Sequence, residues 1–314
     1  MADFDYQHIE IDLINLNDET FRITTNREFT DIADSIKTIG IINPPILLKK
    51  NNNFIIVSGF RRIYASCESK IFARIIKEGT DDLFCIKLAI SDNAFQRRLN
   101  LVEQSHSINL ISPFLKDTNM LSKTLTSIGL NIEPVNIDKI KRIYYLPKLI
   151  QESIISDTIP LVMALELCKF QEDEQTAFAN LFERLKPSLN KQREIVTNVS
   201  EIAIRDDIPI LRALNEISHI MQNIELDRNQ KLLNVRTYLK TRRFPSITEA
   251  YKKFEDNVKK LKLNSGIKLV PPNDFEGTNY IFNIFFKNIR ELNEHKLNLE
   301  NIIKNPVLKT IIDT

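Results

Sequence analysis

From His8 to Leu16, HIEIDLINL alternates apolar and polar residues as a half-buried strand does. Ile32, Ala33, Ile36 and Ile39 then recur at helical spacing, and Gly40 stands where a left-handed C-terminal cap would sit. PPILLKK and NNNFIIVSG read as two strands joined by a turn at Lys50 to Asn53. The pattern predicts a helix after VSG running through Ile76, and one more strand at FCIKLAIS, Phe84 to Ser91. These elements make a compact α/β unit.

Past Ser91 strand patterns stop until about residue 266, and apolar residues recur every three or four positions, so this stretch is read as helical. Asn131 to Asn136 reads as a loop ahead of KIKRIYYLPKLIQ. The last residues predict helix VKKLKL, strand GIKLVPP, a turn at Phe275 to Gly277, strand YIFNIFFKN and helix IRELNEHKLNLENI. The fold class is therefore α+β and multidomain. An α/β domain spans residues 1–105, an all-α domain 106–262 and a small α-β-β-α module 263–314.

A chain of 314 residues, 43% apolar and 27% charged, is long enough for two or three packed domains and too aliphatic for disorder. No run approaches the length of a membrane span, and MADFDYQHIEI has no export signal, which makes the cytoplasm the expected compartment. Cys67, Cys85 and Cys168 are odd in number and widely spaced, so they read as small buried residues rather than a disulfide or metal framework. His8, His106, His219 and His295 are scattered and read as structural. The six glycines form no GxxxxGK loop.

The net charge of +2 hides local imbalance. Between Arg228 and Lys262, eleven Lys or Arg face three acids, a footprint for a polyanion. Arg236, Arg242 and Arg243 lie there near Tyr238 and Phe244 and are candidate DNA contacts. A second basic group, Lys139, Lys141 and Arg142 with Lys148, accompanies the Ile140–Ile143 apolar stripe. Either group also fits a solvated helix face.

VSGFRRIYAS, Val57 to Ser66, carries the sharpest chemistry. A helix start exposes unpaired NH groups and partial positive charge, so Arg61 and Arg62 are misplaced there unless an anion joins them. Gly59 lets that anion approach the backbone, and guanidinium forks grip phosphate oxygens in pairs. Taken alone, the same residues fit a turn glycine and two solvated arginines.

These residues do not stand alone. Ile32 to Ile36, Gly40, Pro45-Ile46-Leu47, the G-F-R-R-x-x-A box and DNAFQRRLNLVEQS, Asp92 to Ser105, follow one another as in the N-terminal domain of the ParB-type partition proteins. The last stretch resembles that family's E-N-L-Q-R-E-D-L-N-P-I-E-E-A box, keeping Asn93, Leu99, Asn100 and Glu103. Leu146-Pro147 and Ile155-Ser156 resemble the exit of its helix-turn-helix, and the C-terminal α-β-β-α pattern resembles its dimerisation module.

The resemblance implies a ParB/sulfiredoxin-like first domain that binds CTP and magnesium, a central helix-turn-helix domain that binds double-stranded DNA, and a homodimer closing as a clamp in chromosome or plasmid segregation. Carried over residue by residue, Ser58, Gly59, Arg61 and Arg62 cradle phosphates, Pro45, Ile46 and Leu47 line the base pocket, and Asp92 with Asn93 stands at the metal. A nucleoid-associated place in the cytoplasm follows. Phe60 replaces a family glutamate and Asp92 is one methylene shorter than the usual ligand, so CTP hydrolysis is less expected than CTP binding. The arginine of Phe95-Gln96-Arg97 is displaced by one or two positions, and each position swings a helical residue by about 100 degrees.

Other readings on this fold are a transcriptional or plasmid-copy regulator and, less expected, a nuclease or small-molecule kinase with Asp92 or Glu103 as the acid. A sulfiredoxin needs a cysteine inside the arginine box, where Phe60 stands. The short acidic start, with Asp3 and Asp5, argues against a ParA-type ATPase partner.

Overall fold

The computed structural model describes residues 4–115 and 117–312. Met1 and Asp3 of the acidic start lie outside the described residues. The chain divides into two compact units, Met1–Gln192 and Arg193–Thr314. Mixed sheet and helix, as the residue pattern implies, characterise the chain.

The first unit is built on a five-stranded sheet of β1 (Asp5–Glu10), β2 (Ile14–Asn15), β3 (Ile46–Lys50), β4 (Asn53–Ser58) and β5 (Lys70–Ile76), in the order β1-β5-β3-β4-β2. β3 and β4 form the expected antiparallel pair, turning through Asn51 at φ 55°, a left-handed conformation that asparagine tolerates. β5 lies antiparallel to β1 and parallel to β3, and β2 parallel to β4. The sheet buries Ile9, Leu47, Phe54, Ile56, Ile71 and Ile75 in one cluster with Phe60 and Ile63.

Helices α1 (Thr30–Ile39), α2 (Phe60–Tyr64), α3 (Asp82–Ala94) and α4 (Leu101–Ile111) belong to or adjoin the sheet. A helical stretch follows with α5 (Thr118–Ser127), α6 (Pro134–Lys141), α7 (Lys148–Ile155), α8 (Leu161–Leu167) and α9 (Glu172–Leu185). The division between units falls inside α10 (Leu189–Asp206).

The second unit continues with α11 (Ile210–Asn215), α12 (Ser218–Gln222), α13 (Arg228–Arg243) and α14 (Pro245–Leu261). Strands β6 (Ile267–Val270) and β7 (Ile281–Ile284) pair antiparallel, and α15 (Ile289–Ile303) and α16 (Pro306–Ile312) close the chain. Phe254, Leu261, Ile267, Leu269, Ile302, Leu308 and Ile311 form its C-terminal core.

Several elements differ from the pattern-based expectation. The strand over 8–16 is broken: β1 ends at Glu10, a 3-10 turn covers Ile11–Leu13, and β2 joins the opposite edge of the sheet. The helix after Gly59 stops at Tyr64 rather than reaching Ile76. Its expected remainder is β5, where Ile71, Ala73 and Ile75 turn inward with a period of two. Conversely, FCIKLAIS lies inside α3, burying Cys85, Ile86, Ala89 and Ile90 at helical spacing. Gly40 closes α1 with φ 76° but an extended ψ of −174°, so the cap is not the left-handed one expected. The 131–136 loop is shortened because Pro134 opens α6, where its missing N–H costs nothing. Cys85 is buried, and burial pushes its thiol up to about 11, whereas Cys67 is exposed.

Candidate functional site: an arginine-lined cleft

Gly59 is the N-cap of α2 at φ 98° and ψ 21°, in the left-handed region. A Cβ there would stand 2.7 Å from Pro45 Cβ and 3.0 Å from Pro45 Cα, so both the backbone angle and the space demand glycine. This close approach sets the end of β4 against the start of β3 and aims α2 at a cleft of about 320 Å³. Ser58, Gly59, Arg61, Arg62, Asp92 and Asn93 line it together, joined by Gln96, Arg97 and Thr24, with Phe21, Ile23 and Ile32 on its apolar side.

Within the cleft the cations have protein partners. Arg62 donates from Nη2 to Asp92 Oδ2 at 3.2 Å and from Nη1 to the Asn43 carbonyl at 2.5 Å. Asp92 also accepts from Ser58 Oγ and, at 3.1 Å, from Gln96 Nε2. Arg61 donates from Nε to the Glu28 carbonyl at 2.7 Å and pairs with Asp31, whose carboxyl it holds below the usual carboxylate range. Asn93 turns its amide back to the Ala89 carbonyl at 2.9 Å.

The other base-pocket residues fall elsewhere. Ile46 is 2% exposed and Leu47 0%, both inside the sheet core, because β3 is flanked by β4 and β5 and buried on both faces. They have no surface to offer a base, and Pro45 sits beneath Gly59. Phe60, in the arginine box, also points into the core, with the Arg22 guanidinium 5.3 Å from its ring centroid.

Asp92 is the one carboxylate among the described lining residues, and no group of three His, Cys, Asp or Glu there could enclose a metal. That donor set fits a hard cation such as Mg²⁺ that keeps its waters and takes further oxygens from phosphates, and it does not fit an all-protein cage.

Glu103, read above as a match to the family box and as a possible catalytic acid, is instead a hydrogen-bonding hub. It accepts from Arg97 Nη1 and Nη2 at 2.7 and 2.8 Å, from Thr25 N at 2.9 Å, from Thr25 Oγ1 at 3.2 Å and from Asn100 N at 3.0 Å. Burial alone would raise its pKa, but the Arg97 fork and the two backbone NH groups bring it below the ordinary value. So occupied, it has no lone pair for catalysis and serves as a strut. Its signal was present in the sequence: Asn100 and Glu103 have the spacing of a capping box, which α4 forms. Gln96, Arg97 and Thr24 were also missed as lining residues.

The basic groups separate. Lys139 on α6 and Arg142 in the 3-10 turn Arg142–Tyr145 are exposed, Lys141 is half-buried, and none has an ion-pair partner among the described residues. α4 grips that turn: Tyr144 N donates to Ser105 Oγ at 2.8 Å, and Asn109 Nδ2 to the Lys141 carbonyl at 2.9 Å.

In the second unit, by contrast, Arg236 pairs with Glu194 at 2.7 Å, Arg242 with Asp206 at 2.6 Å and Glu216 at 3.1 Å, and Arg243 with Glu201 at 2.5 Å. The excess counted along residues 228–262 is thus partly cancelled by acids folded against it from α10 and the segment after α11, which a linear count omits.

No family model matches the chain. It is 32% identical over 138 residues to the probable chromosome-partitioning protein ParB of Campylobacter jejuni subsp. jejuni, covering 41% of this chain and 49% of that protein. The chain thus spans about half the length of the curated relative it matches. Among solved structures, a C-terminally truncated ParB from Caulobacter crescentus complexed with CTP-gamma-S shares 19% identity over 57% of this chain and 98% of that one, with a TM-score of 0.26. The same protein complexed to the centromeric parS site shares 18% over 59% and 96%, TM-score 0.35. A Pnob8-like ParB-N domain shares 13% over 63% and 90%, TM-score 0.41. These structural overlaps are too partial to carry a functional conclusion. Over that matched stretch, and in the boxes running in order from Ile32 to Glu103, the chain is similar to the ParB-type partition proteins.

Proposed function

We propose that the cleft binds CTP with Mg²⁺ and that the chain is a DNA-binding partition protein. The observation that carries this reading is Gly59: a left-handed glycine locked against Pro45 opens a helix whose second and third residues are arginines, with Asp92 beside them. Helix NH groups and two guanidiniums suit phosphates, and Asp92 suits a cation carried on them. The chromosome-partitioning relative supports the partition reading, and the choice of a cytidine nucleotide follows from the resemblance of the arginine and Asp92–Ser105 boxes to that family.

In this reading Ser58, Gly59, Arg61 and Arg62 hold phosphate oxygens, which displace the contacts of Arg61 with Asp31 and of Arg62 with Asp92. Asp92, with Asn93 next to it, takes the magnesium ion. The apolar side of the cleft, at Phe21, Ile23 and Ile32, replaces Ile46 and Leu47 as the surface nearest the base.

Duplex DNA is bound by a helix-turn-helix made of α5 and α6, with Lys139, Lys141 and Arg142 against the phosphate backbone. We keep the three-part division at residues 105 and 262, with the C-terminal module pairing two chains so that a dimer closes around DNA at the nucleoid. No helix among the described residues is long and apolar enough to cross a membrane.

Isothermal titration of the full chain with CTP, ATP and GTP, each with magnesium, tests the reading. CTP should bind with a clear preference. Equal affinity for all three, or no binding, would remove it.

A further inference from the structure

Directly opposed residues of an antiparallel pair share a face, so the β1–β5 register sets Tyr6 beside Arg74, His8 beside Phe72 and Glu10 beside Lys70 on one side of the sheet. On the other side Ile9, Ile71, Ala73 and Ile75 are buried in the core. An antiparallel pair with one buried face ordinarily turns polar residues outward. This one turns out rings: Tyr6 is 55% exposed, Phe72 44%, and His8 is exposed as well.

The rings are ordered against one another. Tyr6 and Phe72 are stacked, with centroids 6.0 Å and planes 25° apart, and the His8 imidazole leans on Phe72 at 5.1 Å. Arg74 ends the row, its guanidinium 4.4 Å from the Phe4 ring centroid. None of these residues lines the arginine cleft.

The free charge on this face is positive. Glu10 is taken by Lys70 at 2.7 Å, and Asp5, opposite the buried Ile75, belongs to the other side of the strand pair. Arg74 has no side-chain hydrogen bond or ion pair among the described residues, and its Nε is buried without an acceptor. Cross-strand packing accounts for the rings. It does not account for a buried cationic donor left unmade, which costs stability until an acceptor arrives.

A partner that answers both features carries flat π surfaces and anionic oxygens together. Single-stranded nucleic acid does so, with bases that stack on aromatic side chains and phosphates that meet a cation. A duplex has its base faces already stacked on one another, and a proline-rich peptide covers the rings but leaves Arg74 unanswered. We infer that the outer face of β1 and β5 is a stacking platform for single-stranded DNA, with bases on Tyr6 and Phe72 and a phosphate at Arg74. DNA is the source in keeping with the duplex reading above, although the platform uses none of the duplex-contacting residues.

Fluorescence anisotropy of the full chain with labelled oligo(dT), oligo(rU) and a duplex tests this for the wild type, Tyr6→Thr, Phe72→Thr and Arg74→Gln. Threonine keeps the strand preference, and melting curves check the fold. Each variant should weaken oligo(dT) binding about fivefold or more, the size of one lost stacking or charged contact, and leave duplex affinity within about twofold. The chain has no tryptophan, so Phe72→Trp retains a ring on the platform and makes it the single indole. Its fluorescence should be quenched by oligo(dT) and not by the duplex, a readout that holds even where a threonine variant fails to fold. A wild type that does not bind oligo(dT), binding unchanged in the threonine variants, or an indole that does not respond overturns the platform. Oligo(dT) binding lost in Lys139→Ala but kept in Phe72→Thr overturns it too, by placing the single strand on the helical basic group. Oligo(rU) bound about tenfold tighter than oligo(dT) overturns the assignment to DNA, and an indole quenched by poly-L-proline but not by oligo(dT) overturns nucleic acid as the partner.

Discussion

Arg62 and Asp92 meet in the cleft with Nη2 3.2 Å from Oδ2, longer than the 2.7–2.9 Å of a strong charge-assisted bond. Asp92 has nearer company in Ser58, and Arg62 has the Asn43 carbonyl at 2.5 Å. Arg62 can therefore be redirected to an incoming anion at small cost, because Asp92 keeps hydrogen-bond partners when it leaves. Arg62→Ala should weaken CTP affinity about tenfold or more, the size of one lost charged contact. Titration of the variant against the wild type measures it, and equal affinities would dismiss Arg62 as a ligand.

Gly59→Ala makes a separate and structural prediction. The added Cβ meets Pro45 at 2.7 Å, and the residue must hold φ 98°, which an L side chain rarely adopts. A left-handed alanine costs about 1–2 kcal/mol before the overlap is counted. Thermal unfolding of the variant should show a lower Tm, with nucleotide binding weakened as well because α2 shifts. A Tm equal to the wild type would mean that Pro45 yields freely.

Glu103 predicts a pH dependence. Its carboxyl holds a proton less tightly in the folded chain than at its ordinary value of 4.5, because Arg97 and backbone NH groups hold the charged form. The unfolded chain therefore binds the proton more readily. Stability from this group is present above about pH 4.5 and is lost as the pH falls through the lower, folded value. Glu103→Gln should flatten the acid limb of a stability-versus-pH curve, while Glu103→Ala, which leaves the Thr25 and Asn100 NH groups without their acceptor, should cost about 1–3 kcal/mol. Urea unfolding at a series of pH values reports both.

What could be read in advance follows from which physical rule dominated locally. The β3–β4 hairpin and the arginine box were legible because β-branched residues, Asn51 and Gly59 signal strand, turn and helix start within a few positions. The swap of identities at 70–76 and 84–91 was not, since both are short apolar runs. Only the inward alternation of Ile71, Ala73 and Ile75, set against the paired spacing of Cys85, Ile86, Ala89 and Ile90, separates them. Behind the cleft, Thr25 and Glu103, 78 positions apart, are in hydrogen-bond contact, a pairing that no local pattern announces. Linear proximity likewise misled at Arg236, Arg242 and Arg243, whose partners Glu194, Asp206, Glu216 and Glu201 lie outside the basic run.

That pairing separates two kinds of basic residue by experiment. Lys139→Ala, Lys141→Ala and Arg142→Ala should each lower duplex affinity and reduce the slope of log affinity against log salt by about 0.9. Arg242→Ala should instead leave that slope unchanged and lower stability, since it deserts Asp206 and Glu216. Fluorescence anisotropy over a salt series, beside thermal melts, distinguishes the two. A salt slope altered by Arg242→Ala and not by Lys139→Ala would reverse the assignment.

The C-terminal module carries the last prediction. β6 and β7 form a sheet of two strands, too few to be stable unsupported, and among the described residues each leaves one edge unpaired. Helices α14 and α16 cover part of it, in the core around Phe254, Ile267 and Leu308. On the remaining surface Phe285 is 63% exposed, Ile289 70% and Leu297 62%, with Phe286 and Ile303 exposed as well. Apolar side chains gathered in one small module beside an open strand edge favour a second copy of the same chain, which can cover both at once through a twofold contact. Phe285 is a sound place to test this, because its backbone N–H already bonds the Gly266 carbonyl at 2.8 Å and its side chain faces outward. Phe285→Asp should leave the fold intact while placing a charge in the contact, where a desolvated carboxylate without a partner is costly. Light scattering at micromolar concentration should give a dimer for the wild type and a monomer, or a dissociation constant raised by about tenfold or more, for the variant. A wild type that scatters as a monomer would remove the twofold link, and with it the basis for closing a clamp around DNA.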